Sequence, residues 1–155
     1  MTEGTAARRR RVRLLNVPAE LQVRNMRPLD DLLHELRIMQ AAVDSGEAEP
    51  GPGLAALMSE ILETYAPARD TVWQQAEVAR DEGRQVVDLD VELPPEAAGA
   101  AVRLLELLEE ADRMCEALQL LTMAAPPEVT ELRRWITAQI EAQVGRGEAP
   151  EPFRG

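Results

Sequence analysis

Residues 94–123 read PPEAAGAAVRLLELLEEADRMCEALQLLTM. Two prolines open this stretch, where they suit a first helical turn, and no proline interrupts the remaining residues. Apolar residues recur every three or four positions, at Ala100, Leu104, Leu107, Ala111, Met114, Leu118 and Leu121. A second stripe lies beside the first, at Ala101, Leu105, Leu108 and Cys115. Because two or three neighbouring helices are needed to cover so wide an apolar face, the stretch predicts a central core helix.

Three other stretches have the helical period, at residues 19–44, 54–82 and 128–144. Pro28 either kinks the first stretch, which we favour, or begins a second helix after a short first one, and we expect a kink at Pro67 in the second stretch, because proline removes a helical hydrogen bond. Gly83 is expected to end the second stretch, since glycine readily adopts the left-handed conformation found after helices.

Two short segments change to the alternating period of a β-strand. Val86–Leu93 (VVDLDVEL) alternates apolar and acidic residues, and Arg11–Val17 (RVRLLNV) is its one candidate partner. A lone two-stranded ribbon is marginally stable, so it is expected to pack against the helices.

These elements predict an all-α fold, a four-helix up-down bundle with a minor two-stranded β-ribbon. Residues 11–144 are expected to form a single helical-bundle domain, between a disordered basic tail at 1–10 and a flexible C-terminal tail at 145–155. Trp135 is predicted to be structural, on the inward side of the last helix. Arg133 and Arg134, which directly precede it, are expected at the rim.

The charge is unevenly distributed along the chain. The net charge is −11, yet residues 1–27 carry seven arginines against two acids, so the rest carries −16. So acidic a body repels phosphate backbones, which argues against nucleic-acid binding. No apolar run approaches the ~20 residues of a membrane helix. The single cysteine, Cys115, fits a reducing compartment. We therefore expect a cytoplasmic protein that binds neither nucleic acid nor membrane.

Sequence motifs for catalysis are nearly absent. Di-metal bundle enzymes need a Glu-x-x-His motif on each of two helices, and this chain has one histidine. It has no Gly-rich phosphate loop, no CxxC and no G-x-S-x-G motif. The sequence therefore predicts a non-enzymatic protein with no catalytic residues, no cofactor and no metal site.

His34 carries the alternative function, that of a phosphoacceptor in a histidine phosphotransfer protein. It lies in LLHELRIM, and His-Glu-Leu-Arg resembles the phosphoacceptor box of sensor histidine kinases, as well as the His-x-Leu-Arg phosphotransfer motif. The kinase box continues Thr-Pro where this chain has Ile38 and Met39, and the phosphotransfer motif has glycine in place of Ile38. Asp30 and Asp31, one turn away, would repel a phosphoryl group. The alternative interpretation is a surface or boundary histidine with no role in phosphotransfer.

Acidic residues beside the apolar stripes of the central helix are the candidate partner-binding residues: Glu106, Glu109, Glu110 and Glu116. They would favour a partner with a basic rim and accelerate encounter at low salt. The surplus apolar width of the same helix leaves room for a protein partner or for self-association as a homodimer. The alternative is an ordinary solvated face.

The chain as a whole resembles a small helical family of actinobacteria over residues 11–143. The similar segments are VRLLNVP (12–18), DDLLHELRI (30–38), VDLDVELPPEAA (87–98), LLELLEEAD (104–112) and LQLLTMAAPPEVTELRRWI (118–136). Members accompany the anti-sigma-factor switching machinery, which includes regulatory ATPases, STAS-type antagonists and serine phosphatases. The resemblance implies an interaction module in partner-switching regulation, with a regulatory ATPase, STAS antagonist or sigma factor as partner. It implies no catalytic residues.

Overall fold

The computed structural model describes residues 9–29, 31, 34, 37–38, 54–118 and 125–154. The elements are β1 (Arg10–Pro18), α1 (Ala19–Met26), α2 (Leu54–Thr64), α3 (Ala66–Asp81), β2 (Val86–Leu93), α4 (Ala97–Leu118), α5 (Pro127–Ile140) and a π-helical turn (Glu141–Gly145). The chain is mostly helical with one small two-stranded antiparallel sheet, which confirms that part of the predicted fold.

Next to both prolines a helix ends, where a kink within one continuous helix was expected. Helix α1 ends at Met26, and Arg27 and Pro28 form a turn. The long helix predicted over 54–82 is divided at Tyr65 into α2 and α3. Pro67 lies in the first turn of α3, where its missing N–H leaves no hydrogen bond unmade. Beyond Pro28, the few described positions up to Ile38 have helical backbone, and the rest of the predicted 19–44 helix lies outside the described residues.

Gly83 ends α3 as predicted. Its φ is 78°, in the left-handed region. The Arg84 amide donates to the carbonyl of Ala79 at 2.9 Å, and the Gly83 amide donates to that of Arg80 at 3.0 Å. This pair of bonds is the Schellman arrangement, which satisfies carbonyl groups left over at a helix end. The turn then leads directly into β2.

The ribbon places its apolar residues on one face by means of a bulge in β1. Val12 pairs with Val91 and Leu14 pairs with Leu89, and the register then shifts between Leu14 and Val17. Asn16 occupies the bulge with a φ of 61°, a conformation that asparagine tolerates better than most residues. Because of the inserted residue, Val12, Leu14 and Val17 are all buried although their spacing is not strictly alternating.

Two glutamine side chains cover the outer edges of the ribbon at the same level. Gln143 Nε2 donates to the carbonyl of Arg13 at 2.8 Å, and its Oε1 accepts from the Arg13 amide at 2.9 Å. Gln75 makes the equivalent pair with the carbonyl and amide of Asp90, at 2.8 and 2.9 Å. Arg13 and Asp90 are themselves paired across the ribbon. The outward backbone groups of both strands are thus satisfied here, which protects edges that could otherwise pair with another chain.

The main buried cluster is centred on the ribbon rather than on the predicted central helix. The inner face of the ribbon supplies Val12, Leu14, Val17, Val87, Leu89 and Leu93. Ala79, Ala97, Leu132 and Val144 cover it from α3, α4, α5 and the π-helical turn. Helix α4 packs against α2, α5 and the π-helical turn. None of the helices in the described ranges is long and apolar enough to cross a membrane.

The C-terminal residues lie against the ribbon, which differs from the expected flexible tail at 145–155. Phe153 is 5% exposed and contacts Trp135 edge to face, with ring centroids 5.1 Å apart. The Phe153 amide donates to the carbonyl of Leu15 at 2.9 Å, and its carbonyl accepts from Asn16 Nδ2 at 2.9 Å. The polar composition of this segment predicted flexibility, but its one large aromatic residue, Phe153, is buried against the ribbon.

Candidate functional site

A cavity of about 190 Å³ lies between the ribbon and the helices. Helix α4 forms one wall and contributes several small residues, and α2, α3 and the inner face of the ribbon also line the cavity. The described apolar residues that line it include Leu14, Leu62, Val72, Val91, Leu93, Ala97, Ala100, Ala101, Leu104, Leu105, Leu108, Ile136 and Ile140. Much of the apolar width predicted for the central helix therefore faces this internal space.

The small residues on α4 help to keep the cavity open. Ala97, Ala100 and Ala101 stand in the first turns of the helix, where leucine side chains would reach further across the space. Ala100, Ala101, Leu104 and Leu105 are only partly buried, although they occupy the apolar stripes. Close packing is the rule in protein interiors, so an apolar space of this size is a feature that needs an explanation.

One wall of the cavity is polar and is built on α1 and α5. Arg133 Nε donates to Asn25 Oδ1 at 2.7 Å, and Asn25 Nδ2 donates to Gln22 Oε1 at 3.2 Å. Gln22 Nε2 then contacts the sulfur of Met26 at 3.3 Å, and a thioether is a weak acceptor. All four residues line the cavity. The hydrogen-bond chain therefore begins at a charged donor and ends without a strong acceptor.

The charge of Arg133 is incompletely balanced. The side chain is 8% exposed, and its nearest described carboxylate oxygen is Asp112 Oδ2, which lies 3.9 Å from Nη1. That distance is too long for a hydrogen bond. Burial lowers the pKa of Arg133, and burial likewise raises the pKa of Asp112, so desolvation outweighs their mutual attraction. Additional negative charge near Arg133 would relieve this imbalance.

A second arginine, Arg69, lines the same cavity from α3. Its Nη1 donates to the carbonyl of Leu62 at 3.1 Å. Within the described part of the chain, its Nε is buried and has no hydrogen-bond partner. An unsatisfied buried donor costs about 1–3 kcal/mol, so such a group is a reason to look for a missing acceptor.

The site is thus rich in donors and poor in acceptors. Two arginines and no Asp or Glu are found among the described lining residues, in a chain whose net charge is −11. Thr137 Oγ1 donates within its own helix to the carbonyl of Arg133 at 2.9 Å. No group of three or more His, Cys, Asp or Glu side chains among the described residues could hold a metal ion. A cavity with these lining residues is suited to bind a molecule that has an apolar part and a polar end, and the arginines can donate hydrogen bonds to that polar end.

The predicted partner-binding carboxylates lie outside this cavity, on the outer side of α4. Glu109 accepts from Arg134 Nε at 2.7 Å, Glu110 accepts from Arg113, and Glu106 lies 3.6 Å from Arg103. Glu116 is exposed. Glu106 is exposed as well, whereas Glu109 and Glu110 are partly buried, and arginines on α4 and α5 pair with these three acids.

His34 is exposed and its backbone is helical. Arg37, one turn further along, donates to Ser59 Oγ of α2 at 2.6 Å, so this part of the chain lies beside α2. The Cys115 side chain lies outside the described atoms.

Arg133 was expected at the rim, and that expectation is wrong, because α1 covers it and Asn25 accepts its Nε–H. Arg134 is exposed, as predicted. The sequence does contain a signal, since Arg133 lies four residues after Val129 and three before Ile136, on the apolar face. Arg69 occupies the same kind of position, between Leu62 and Val72. A charged residue at an apolar-face position is the pattern that identifies both residues.

Comparison of the chain with protein-family models, with curated proteins and with solved structures gives no match. The resemblance to the actinobacterial family therefore stays a prediction.

Proposed function

We propose that this protein is a non-enzymatic protein-interaction module in bacterial signalling, acting in anti-sigma-factor or partner-switching regulation in the cytoplasm. Its partner is proposed to be a regulatory ATPase, a STAS antagonist or a sigma factor. The proposal is supported by the segments that resemble the actinobacterial family and by the acidity of the chain. An alternative assembly on the same surface is a homodimer.

The observation that carries this proposal is the exposed acidic side of α4. Glu106, Glu109, Glu110 and Glu116 follow one another at spacings of three, one and six residues, which places them within about 120° of one another around a helix. Their contacts with Arg103, Arg113 and Arg134 are surface ion pairs. Such pairs contribute about 0–1 kcal/mol each, so a partner with its own basic side chains can replace them with little loss of stability.

Affinity capture from a native actinobacterial lysate, at low and then at high salt, tests the proposal. We expect a stoichiometric complex with one of the three named partner classes at low salt, and less of it at high salt because charge attraction is screened. The double variant Glu106→Gln/Glu116→Gln should capture less of this partner. Glu60→Gln/Glu63→Gln, on the exposed side of α2, is the matched control and should capture as much as wild type. Recovery of none of the three classes at either ionic strength would remove the switching hypothesis.

The second candidate function is histidine phosphotransfer through His34. It is favoured by the exposure of His34 on helical backbone, because a phosphoacceptor must be reachable by its donor. Incubation with acetyl phosphate or a kinase, followed by mass spectrometry, compares wild type with His34→Gln. Acid-labile phosphate on wild type that is missing from the variant would support this candidate, and its absence from both would exclude it under those conditions.

The up-down four-helix arrangement is proposed together with this function. It is supported by the contacts of α4 with α2 and α5 and by the short connections between the later elements. Distances between spin labels on exposed positions of α2, α4 and α5 would test it, since antiparallel neighbours give short distances between opposite ends.

A further inference from the structure

The cavity combines an apolar interior with a positively charged, donor-rich wall. We propose that it is a binding site for a small organic anion, namely a carboxylate with a compact apolar body, whose carboxylate accepts hydrogen bonds from Arg133 and Arg69. This inference does not depend on the proposed protein partner, because it concerns the interior of the molecule and not the outer side of α4.

The size of the cavity sets the size of the apolar body. An apolar cavity of about 150 Å³ stays free of water and admits benzene. The space here is about 190 Å³, which exceeds that by roughly the volume of a carboxylate group. It lies below the range of about 300–1,000 Å³ that is usual for drug-sized ligands. A single ring or a short branched chain with one carboxylate therefore matches the volume of this space.

The hydrogen-bonding groups set the chemistry of the polar end. Arg133 gives its Nε–H to Asn25, and its Nη2 lies at 3.4 Å from the carbonyl of Asn25, a long contact. Among the described residues, the carboxylate nearest its Nη1 is that of Asp112, at 3.9 Å. Arg69 adds a buried Nε–H without a described partner. Each of these is a donor, so the ligand must supply acceptors.

Charge favours an anion over a neutral acceptor. Two guanidinium groups line the cavity, and no carboxylate among the described residues does. Arginine presents a planar fork of N–H groups that matches a carboxylate, and it is retained as a cation even when buried. Burial lowers the pKa of Arg133, the direction expected where a cation loses hydration. An incoming carboxylate would supply the counter-charge that Asp112 supplies only in part.

Calorimetric titration of the full chain with three probes of the same shape tests the proposal. The probes are benzoate, benzamide and benzylamine, which at neutral pH are negative, neutral and positive. We expect benzoate to bind about 10- to 100-fold more tightly than benzamide, since hydrogen bonds to charged groups are stronger than neutral ones. Benzylamine should not bind. Benzoate in large excess over its Kd should raise the melting temperature by roughly 5–10 °C.

Three variants test whether benzoate binds in the cavity. Arg133→Gln and Arg69→Gln should each weaken benzoate binding at least about 10-fold and reduce its advantage over benzamide. Ala101→Leu, which extends a side chain into the space, should abolish binding of benzoate without removing either arginine. Arg134→Gln is the control, because this neighbouring arginine of α5 is exposed and paired with Glu109, and benzoate binding should be unchanged.

Several outcomes would overturn the proposal. They are no binding of benzoate at millimolar concentration, benzamide binding as tightly as benzoate, or binding that survives Ala101→Leu. If Arg133→Gln does not fold, its melting curve will show this, and Arg69→Gln together with Ala101→Leu then decides the question. Failure of the lysate capture would leave these results unaffected, so the two proposals are tested separately.

Discussion

Arg133 shows at the scale of one residue how position changes the role of a side chain. Its neighbour Arg134 is exposed and makes a surface ion pair with Glu109, whereas Arg133 is buried against Asn25. A guanidinium group in this environment loses hydration, and the carboxylate nearest to it among the described residues lies 3.9 Å away, on Asp112. The two adjacent arginines therefore have different energetics although they have the same chemistry.

Trp135 is predicted to stabilise the fold through its contact with Phe153. Its side chain is partly exposed, so Trp135→Ala should cost about 3 kcal/mol, the lower end of the range for truncating a large aromatic residue. Urea unfolding of Trp135→Ala, Phe153→Ala and the double variant measures the coupling between the two rings. We expect about 0.5–1.5 kcal/mol for this edge-to-face pair. Additive single effects would mean that the two rings do not contact each other in solution.

The ion pair between Arg11 and Asp90 predicts a pH-dependent contribution to stability. The hydrogen bond from Arg11 holds the pKa of Asp90 below its usual value of 3.8. A lowered carboxyl pKa stabilises the folded protein above the unfolded pKa, and this contribution is lost as the pH falls through the folded pKa. Because the pair is exposed, it contributes less than about 1 kcal/mol.

Asp90→Asn should therefore lower the free energy of unfolding at pH 7 by a few tenths to about 1 kcal/mol, and by progressively less as the pH falls from 7 into the acid range. Denaturant unfolding across this range measures the difference. The exposed Asp70 of α3 provides the control variant Asp70→Asn. A difference between Asp90→Asn and wild type that does not shrink as the pH falls would show that the ion pair is not its source.

The ribbon shows at the scale of an element how two strands can be stable without further strands. Gln75 and Gln143 occupy positions where a third and a fourth strand would otherwise bond.

Gln75→Ala and Gln143→Ala should each lower the free energy of unfolding by about 1–3 kcal/mol, because either substitution removes two hydrogen bonds from a partly buried backbone position. Hydrogen exchange should accelerate at the Asp90 amide in Gln75→Ala and at the Arg13 amide in Gln143→Ala. Gln74→Ala, at the exposed neighbouring position, should change stability by less than about 0.5 kcal/mol.

Gly83, which follows α3, and Gly99, which lies within α4, should respond in opposite directions to substitution by alanine. Gly83 has a left-handed φ of 78°, so Gly83→Ala should cost about 1 kcal/mol. Gly99 lies within α4 and a Cβ there would meet no described atom within 4 Å, so Gly99→Ala should stabilise by about 0.5–1 kcal/mol. Thermal unfolding of the two variants provides the comparison. A stabilising Gly83→Ala would mean that α3 does not end in this conformation.

At the scale of the whole molecule, the segment around Phe153 packs against β1, more than 130 positions earlier in the chain. Phe153 and its backbone add to the edge of β1, and Glu151 donates its amide to Gln139 Oε1 at 3.0 Å. Deletion of residues 146–155 should lower the melting temperature by roughly 4–10 °C, from the loss of one buried aromatic side chain. Phe153→Leu, which retains an apolar side chain, should lower it less. An unchanged melting temperature after the deletion would contradict the packing of this segment.

Several elements could be predicted because their causes are local. The alternation of VVDLDVEL places β2 at 86–93, and Gly83 ends the preceding helix because few other residues tolerate its backbone conformation. Pro28 and Pro67 lie at helix breaks for the same kind of reason, since a proline restricts its own backbone wherever it occurs.

What only the tertiary structure decided depends on residues distant in sequence. Arg133 is buried because Asn25, 108 positions earlier, lies against it, and Phe153 is buried because it meets Leu15 and Trp135. The periodicity of α4 showed an apolar face too wide for one neighbour, but could not show that part of it would line a cavity. Periodicity identifies which side of a helix avoids water, whereas a cavity is the space left after all the elements have packed. The sequence thus determined the elements and their apolar faces, whereas the tertiary structure decided that Arg133 is buried and that it lines the cavity.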